Sequence, residues 1–200
     1  MTDNLHARSR ASGAARSPDR RVDAPEGLLG AARSLLGAGD PEGVGLREIA
    51  RLTGVSAAAA YKHFTDKDDL MATVAAKGFE ELSAALRAAA LEPDPLPAIG
   101  LAYVDFAQAN RGLFRLMFGP LLAVRDRHHA LRQAAEEALG ALERSRGAAA
   151  AATNPRLRPA GATMAFVHGV ACLMIANVLS VRDARALVAK TLGSAGPRPN

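Results

Sequence analysis

Residues 46–70, LREIARLTGVSAAAAYKHFTDKDDL, gather Arg47, Ser56, Tyr61, Lys62, His63 and Lys67 in one short stretch. Their hydroxyl, imidazole and cationic groups are the types that hold phosphate oxygens and base edges. The chain shows no Gly-rich phosphate loop, no nucleophile elbow and no carboxylate pair placed to exchange protons. The stretch reads as a short helix, a glycine corner, a second short helix and a capped third. That is the sequence form of a helix-turn-helix, in which the second helix enters the major groove of DNA.

The elements that must position these side chains follow from spacing and caps. Helix 2 is expected over roughly Leu46–Leu52, with Leu46, Ile49, Ala50 and Leu52 available to pack. Gly54 supplies the corner, where a positive φ costs little. Ser56 suits the N-cap of a helix running through His63, and Asp66, with Asp69 three residues on, suits the cap of a long helix reaching about Leu91. EPDPLP at 92–97 breaks that helix. Upstream, Asp23 and Glu26 resemble a capping box with Pro25 in the first turn. Leu28, Leu29, Ala32, Leu35 and Leu36 give the first helix one apolar face, and Gly37 and Gly39 end it. Further helices are expected near 97–110, 111–118, 126–147, 160–180 and 183–193, with a Pro-containing loop at Thr153–Gly161. The implied organisation is a disordered Arg-rich arm (1–21), a DNA-binding head (22–72, its last helix continuing to about 91), a second helical domain (93–193) and a frayed tail (194–200).

Composition agrees with an all-α fold. Apolar residues make up 49% and aromatics 4%, Trp is absent, and few windows alternate with period two. The net charge of +5 owes much to Arg8, Arg10, Arg16, Arg20 and Arg21, which face only Asp3 and Asp19 in the arm. A basic chain permits nucleic-acid binding without proving it. Cys172 is the only cysteine, which excludes an intrachain disulfide and suits a reducing cytoplasm. The N-terminus lacks a signal peptide's apolar core. Ala162 to Val181 approaches the length of a membrane span, but His168 and Asn177 inside it favour a buried helix of a soluble protein.

Ile49-Ala50, Gly54-Val55-Ser56, Tyr61-x-His63-Phe64 and Lys67-Asp68 ahead of Leu70 together resemble the N-terminal domain of the TetR family of bacterial transcriptional regulators, over about residues 23–72. The resemblance implies a DNA-contacting set: Arg47, Ser56, Ala57, Ala58, Tyr61, Lys62, His63 and Lys67. Tyr61 would bond a phosphate through its hydroxyl, and Lys62 a phosphate or guanine. His63 would touch DNA or pack under helix 1. Lys67 opens a helix whose dipole opposes a cation, a placement that suits a phosphate partner. Ala57, Ala58 and Ala59 fall where base edges are read, so only methyl contacts with thymine are available. Gly45 stands where the family usually has Ser or Thr, and Ala60 where it has a bulkier residue. Both departures point to weak direct readout, with phosphates, shape and dimer spacing carrying more of the affinity. The arm could add a minor-groove contact.

AYVDFAQANRGLFRLMF at 102–118 and AFVHGVACLMIANVL at 165–179 resemble the effector domain of one TetR branch, named for a Trp-His-Gly signature that His168-Gly169 matches loosely. The resemblance implies a small-molecule pocket and a dimer formed through the last two helices, near 160–180 and 183–193. Tyr103, Phe106, Phe114, Met117, Phe118, Met164, His168 and Cys172 are the pocket candidates. His168 would bond a ligand or a backbone carbonyl. His168 and Cys172 share the i, i+4 spacing of a metal-ligand pair, but nothing nearby completes a site, so neither metal nor cofactor is expected. The expectation is a homodimeric, cytoplasmic repressor released from a palindromic DNA operator by a small apolar ligand. The rivals are a constitutive or architectural DNA-binding protein, an enzyme with Asp105 as its best acid, and a membrane-associated protein using 162–181.

Overall fold

Leucine and alanine at helical spacing give a fold built wholly of helices among the residues that the computed structural model describes, 24–38, 45–144 and 159–193. The expected capping residue Asp23, the helix-ending Gly39, the arm at 1–21, the tail at 194–200 and most of the 153–161 loop lie outside the described residues. α1 (Ala24–Ala38) buries Leu28, Leu29, Ala32 and Leu36 in one row. Against it pack α2 (Leu46–Thr53) and α3 (Ala57–His63), and these three helices form the head. α4 (Lys67–Ala89) leaves the head and runs into the second domain, where its most extensive partner is α8 (His129–Arg144). α5 (Pro95–Ala109), α6 (Arg111–Met117), α9 (Pro159–Ile175) and α10 (Val181–Leu192) complete that domain. One core runs through both parts, from Leu28 and Ile49 in the head to Tyr103, Val167 and Val188 in the body.

Two departures from the sequence expectation have local causes. The helix expected from residue 126 begins at His129, because Pro120 opens a short α7 (Pro120–Ala123) and a 3-10 turn at Arg125–Arg127 follows it. The helix expected over 160–180 starts at Pro159 and stops at Ile175. Asn177 there adopts φ +58°, and the Asn177 and Val178 amides donate to the Met174 and Leu173 carbonyls at 3.0 and 2.9 Å. A left-handed asparagine closing a helix in this way is the αL C-cap device. The apolar run continues past it, but no helix among the described residues is long and apolar enough to cross a membrane.

Head and body meet closely. Gly112, in the first turn of α6, sits where a Cβ would fall 1.7 Å from the Leu36 carbonyl oxygen of α1. Any side chain would force the two helices apart. Arg33 on α1 reaches across this junction, donating to Glu81 of α4 (Nη2–Oε2 2.7 Å) and to the Asn110 Oδ1 at 3.0 Å. The carboxylate raises the Arg33 pKa further, chiefly through this hydrogen bond. Lys77 of α4 pairs with Glu26 of α1 at 2.8 Å.

Candidate DNA-binding and effector sites

The corner between α2 and α3 is made as the sequence implies. Gly54 takes φ +68° and ends α2, its amide donating to the Arg51 carbonyl at 3.3 Å, while Val55 donates to Ala50 at 3.0 Å. Ser56 caps α3: its hydroxyl oxygen accepts from the Ala59 amide at 3.2 Å. Asp66 caps α4 by accepting from Asp69 at 2.8 Å, and the Asp69 carboxylate accepts from the Thr65 amide at 2.9 Å. Gly45 precedes α2 with no side-chain cap. Leu46, Ile49 and Ala50 bury the inner face of α2, and Ala60 is the fully buried residue of α3. The alanine in place of a bulkier residue thus serves close helix packing.

This inner packing fixes what α3 shows to the outside. Ala58, Tyr61, Lys62 and His63 are exposed, with Tyr61 49% accessible, and Ala57 and Ala59 are half-buried. His63 does not pack under α1. Arg47 is exposed at the start of α2, and Ser56 is exposed at the corner. Lys67 is half-buried at the first turn of α4. The outer face therefore offers a phenol, an ammonium and an imidazole in sequence, flanked by methyl groups.

In the body, a cavity of about 320 Å³ opens between α6 and α9, walled by Phe114, Arg115, Phe118, His168, Cys172, Ile175 and Ala176. His168 is its polar centre. Its Nδ1 lies 3.0 Å from the Tyr103 hydroxyl and its Nε2 lies 3.4 Å from the Cys172 sulfur. The ring of Phe118 approaches to 4.6 Å and that of Phe114 to 5.5 Å, the latter nearly parallel to the imidazole. Phe79 of α4 meets Phe118 edge-on at 5.3 Å, which ties this cluster to the helix that leaves the head. Burial shifts all three polar groups toward neutrality. It lowers the His168 pKa, raises that of the Cys172 thiol and pushes the Tyr103 phenol far up, with Cys172 adding to the last. The arrangement is a largely aromatic slot with the His168–Tyr103 pair at its centre and the exposed Arg115 cation on its wall.

Five of the eight pocket candidates come together here: Phe114, Phe118, His168 and Cys172 on the wall, and Tyr103 behind His168. Phe106, Met117 and Met164 do not line the cavity. Phe106 and Met117 are buried in the core and Met164 packs against it, because the faces they occupy turn toward other helices. Arg115, Ile175 and Ala176 went unrecognised as wall residues. The last two lie three and four positions beyond Cys172, on the face it shares with His168, so extending that face along α9 would have found them. Among the described residues, no group of three His, Cys, Asp or Glu side chains is placed to hold a metal. Asp105 is exposed and bonded to Arg185.

Residues 28–74 match the family model described as "Bacterial regulatory proteins, tetR family", and residues 96–194 match "Tetracyclin repressor-like, C-terminal domain". No curated protein matches the chain. Among solved structures, a protein of unknown function from Rhodococcus sp. RHA1 is 28% identical, with a TM-score of 0.72 over 88% of this chain and 97% of that one. A TetR/AcrR-family transcriptional regulator from Thermobifida fusca YX-ER1 is 19% identical, with a TM-score of 0.61 over 88% of this chain and 100% of that one. The multidrug binding protein EbrR, solved with imidazole, is 23% identical, with a TM-score of 0.57 over 89% and 97%. With two family models spanning head and body and the helix-turn-helix formed as described, the chain belongs to the TetR family and is a DNA-binding transcriptional regulator, not an enzyme.

Proposed function

We propose that the protein is a homodimeric repressor that leaves a palindromic operator when a small, largely apolar ligand enters the cavity around His168. The observation that carries this reading is the division of labour on α3. Ala60 is fully buried, while Ala58, Tyr61, Lys62 and His63 around the rest of α3 are exposed. Arg47, Ser56 and Lys67 flank them and would hold phosphates, while Ala57 and Ala58 offer methyl contacts. The aromatic walls and the His168–Tyr103 pair at the centre of the cavity suit a largely apolar molecule, with Arg115 on the wall as its one cationic contact. A structural relative, EbrR, is described as a multidrug binding protein and was solved with imidazole and with ethidium.

Dimerisation through α9 and α10 is supported by the apolar side chains left in solvent on them and on the turn that joins them: Leu173 of α9 at 45%, Val178 of the turn at 69% and Leu187 of α10 at 40% exposure. A two-fold dimer would carry two reading heads at a spacing set by the DNA repeat. Ligand at Phe118 would press on Phe79 and so on α4, whose tilt moves the head. The change in spacing requires that the ligand prefer one conformation.

Footprinting upstream of the protein's own gene, at two salt concentrations and against random DNA, tests the reading. A protected palindrome that survives the higher salt supports a specific regulator. Equal, salt-sensitive binding to both DNAs would favour the constitutive architectural rival. Equal ligand affinity for free and operator-bound protein would remove the proposed coupling.

A further inference from the structure

A second, larger cavity, of about 520 Å³, lies where the head joins the body. Its wall combines the first two turns of α4 (Lys67, Asp68, Met71) with α6 (Arg115, Leu116) and the 119–127 segment (Gly119, Pro120, Leu121, Val124, Arg127). The volume falls within the range of small-molecule sites. The lining is divided. Met71, Leu116, Pro120, Leu121 and Val124 make an apolar floor, and three cations, Lys67, Arg115 and Arg127, face one acid, Asp68. Among the described residues, the Arg115 and Arg127 guanidiniums have neither an ion-pair nor a hydrogen-bond partner. A planar guanidinium fork with no partner among the described residues, lining a partly apolar hollow, matches the geometry of a carboxylate on an apolar body.

We propose that this junction cavity takes an amphiphilic anion, an apolar body carrying a carboxylate, and that the bound carboxylate draws Lys67 away from an operator phosphate. The second half rests on the proposed operator contact of Lys67. Lys67 is the first residue of α4, directly after the head, and lines the cavity, so in this proposal one ammonium would serve both surfaces. An anion seated beside it neutralises a DNA-facing cation and adds negative charge near the operator. Release would then come from local electrostatics at the start of α4, with no signal carried from the His168 slot.

The test uses the full chain and laurate below its micelle concentration, with dodecyltrimethylammonium as the probe of equal tail and opposite head. Calorimetry on the DNA-free protein should show laurate binding and at least about tenfold weaker binding of the ammonium, because the charge-assisted bonds are lost. Arg127→Gln, which lines this cavity and not the one at His168, should weaken laurate by about tenfold with the thermal midpoint unchanged. No laurate binding, equal binding of both heads, or an Arg127→Gln protein that binds laurate as tightly as the parent would overturn the site. Operator affinity then tests the mechanism separately. Laurate should lower it in the parent and leave it unchanged in Lys67→Met, whose affinity is already reduced. A Lys67→Met protein that laurate still releases to the parental extent would overturn the competition while leaving the site standing. A protein that binds laurate and no DNA would overturn the repressor reading and the competition together, leaving only the anion site.

Discussion

Gly112 of α6 meets the Leu36 carbonyl oxygen of α1 with no room for a methyl group, since a Cβ would lie 1.7 Å away. The atom opposite is backbone, which cannot swing aside as a side chain would. Gly112→Ala should therefore lower stability by roughly 1–3 kcal/mol, the usual cost of overpacking. It should also shift the angle between head and body. Urea unfolding and operator titration measure the two effects. Parental values in both would mean that the junction is looser than the structure shows.

Tyr61→Phe removes only a hydroxyl from an exposed ring. If that hydroxyl holds a phosphate, operator affinity should fall by about 0.5–1.5 kcal/mol, equally on specific and random DNA. Lys62→Ala should lower the slope of log affinity against log salt by about 1 if it contacts a phosphate. A loss confined to one base position would instead assign Lys62 to guanine.

His168 carries a pH signature whose sign is fixed by burial. Its folded pKa lies below the ordinary 6.5. Between those two values the unfolded chain binds a proton that the folded chain refuses, so stability rises with pH there. The contribution is complete above the ordinary value and is lost as pH falls through the folded value. Urea midpoints taken about one unit above and about one unit below 6.5 should differ more for the parent than for His168→Gln. An equal difference in both would place the pH response elsewhere.

Leu173→Glu puts a charge on the exposed apolar face of α9. Sedimentation should show dimer dissociation at concentrations where the parent stays paired, with helical content retained. Operator affinity should fall with it, because each half-site would then be bound alone. A Leu173→Glu protein that remains dimeric would move the interface away from this face.

What could be read directly from the chain was what depends on neighbours in sequence. Ser56, Asp66 and Gly54 act over three or four residues, and each does in the structure what its position implies. The inward turn of Ala60 was not legible in this way, because it depends on how α3 packs against the rest of the head. The His168 contact with Tyr103 spans 65 residues and depends on how α5 meets α9, which periodicity does not encode. Phe106 and Met117 have the same apolar character as Phe114 and differ only in the direction their faces turn. The early end of α9 escaped notice because Val178 and Leu179 prolong the apolar run past Asn177, the residue whose backbone actually stops it. The junction cavity was hidden for a related reason: Lys67, Arg115 and Arg127 are brought together by α4, α6 and a 3-10 turn that lie far apart in sequence.

The bonds of Arg33 to Glu81 and Asn110, together with the Glu26–Lys77 pair, have a calorimetric consequence. α1 belongs to the head by sequence, yet its side chains are tied to α4 and to the residue that opens α6. Heating cannot melt the head while the body stays folded without first breaking these ties and exposing the shared apolar surface beneath them. The two parts should therefore melt as one event, with calorimetric and van't Hoff enthalpies that agree for the dissociated chain. Amide protons of α1 should exchange as slowly as those of central α4, and not at the faster rate of a small domain unfolding by itself.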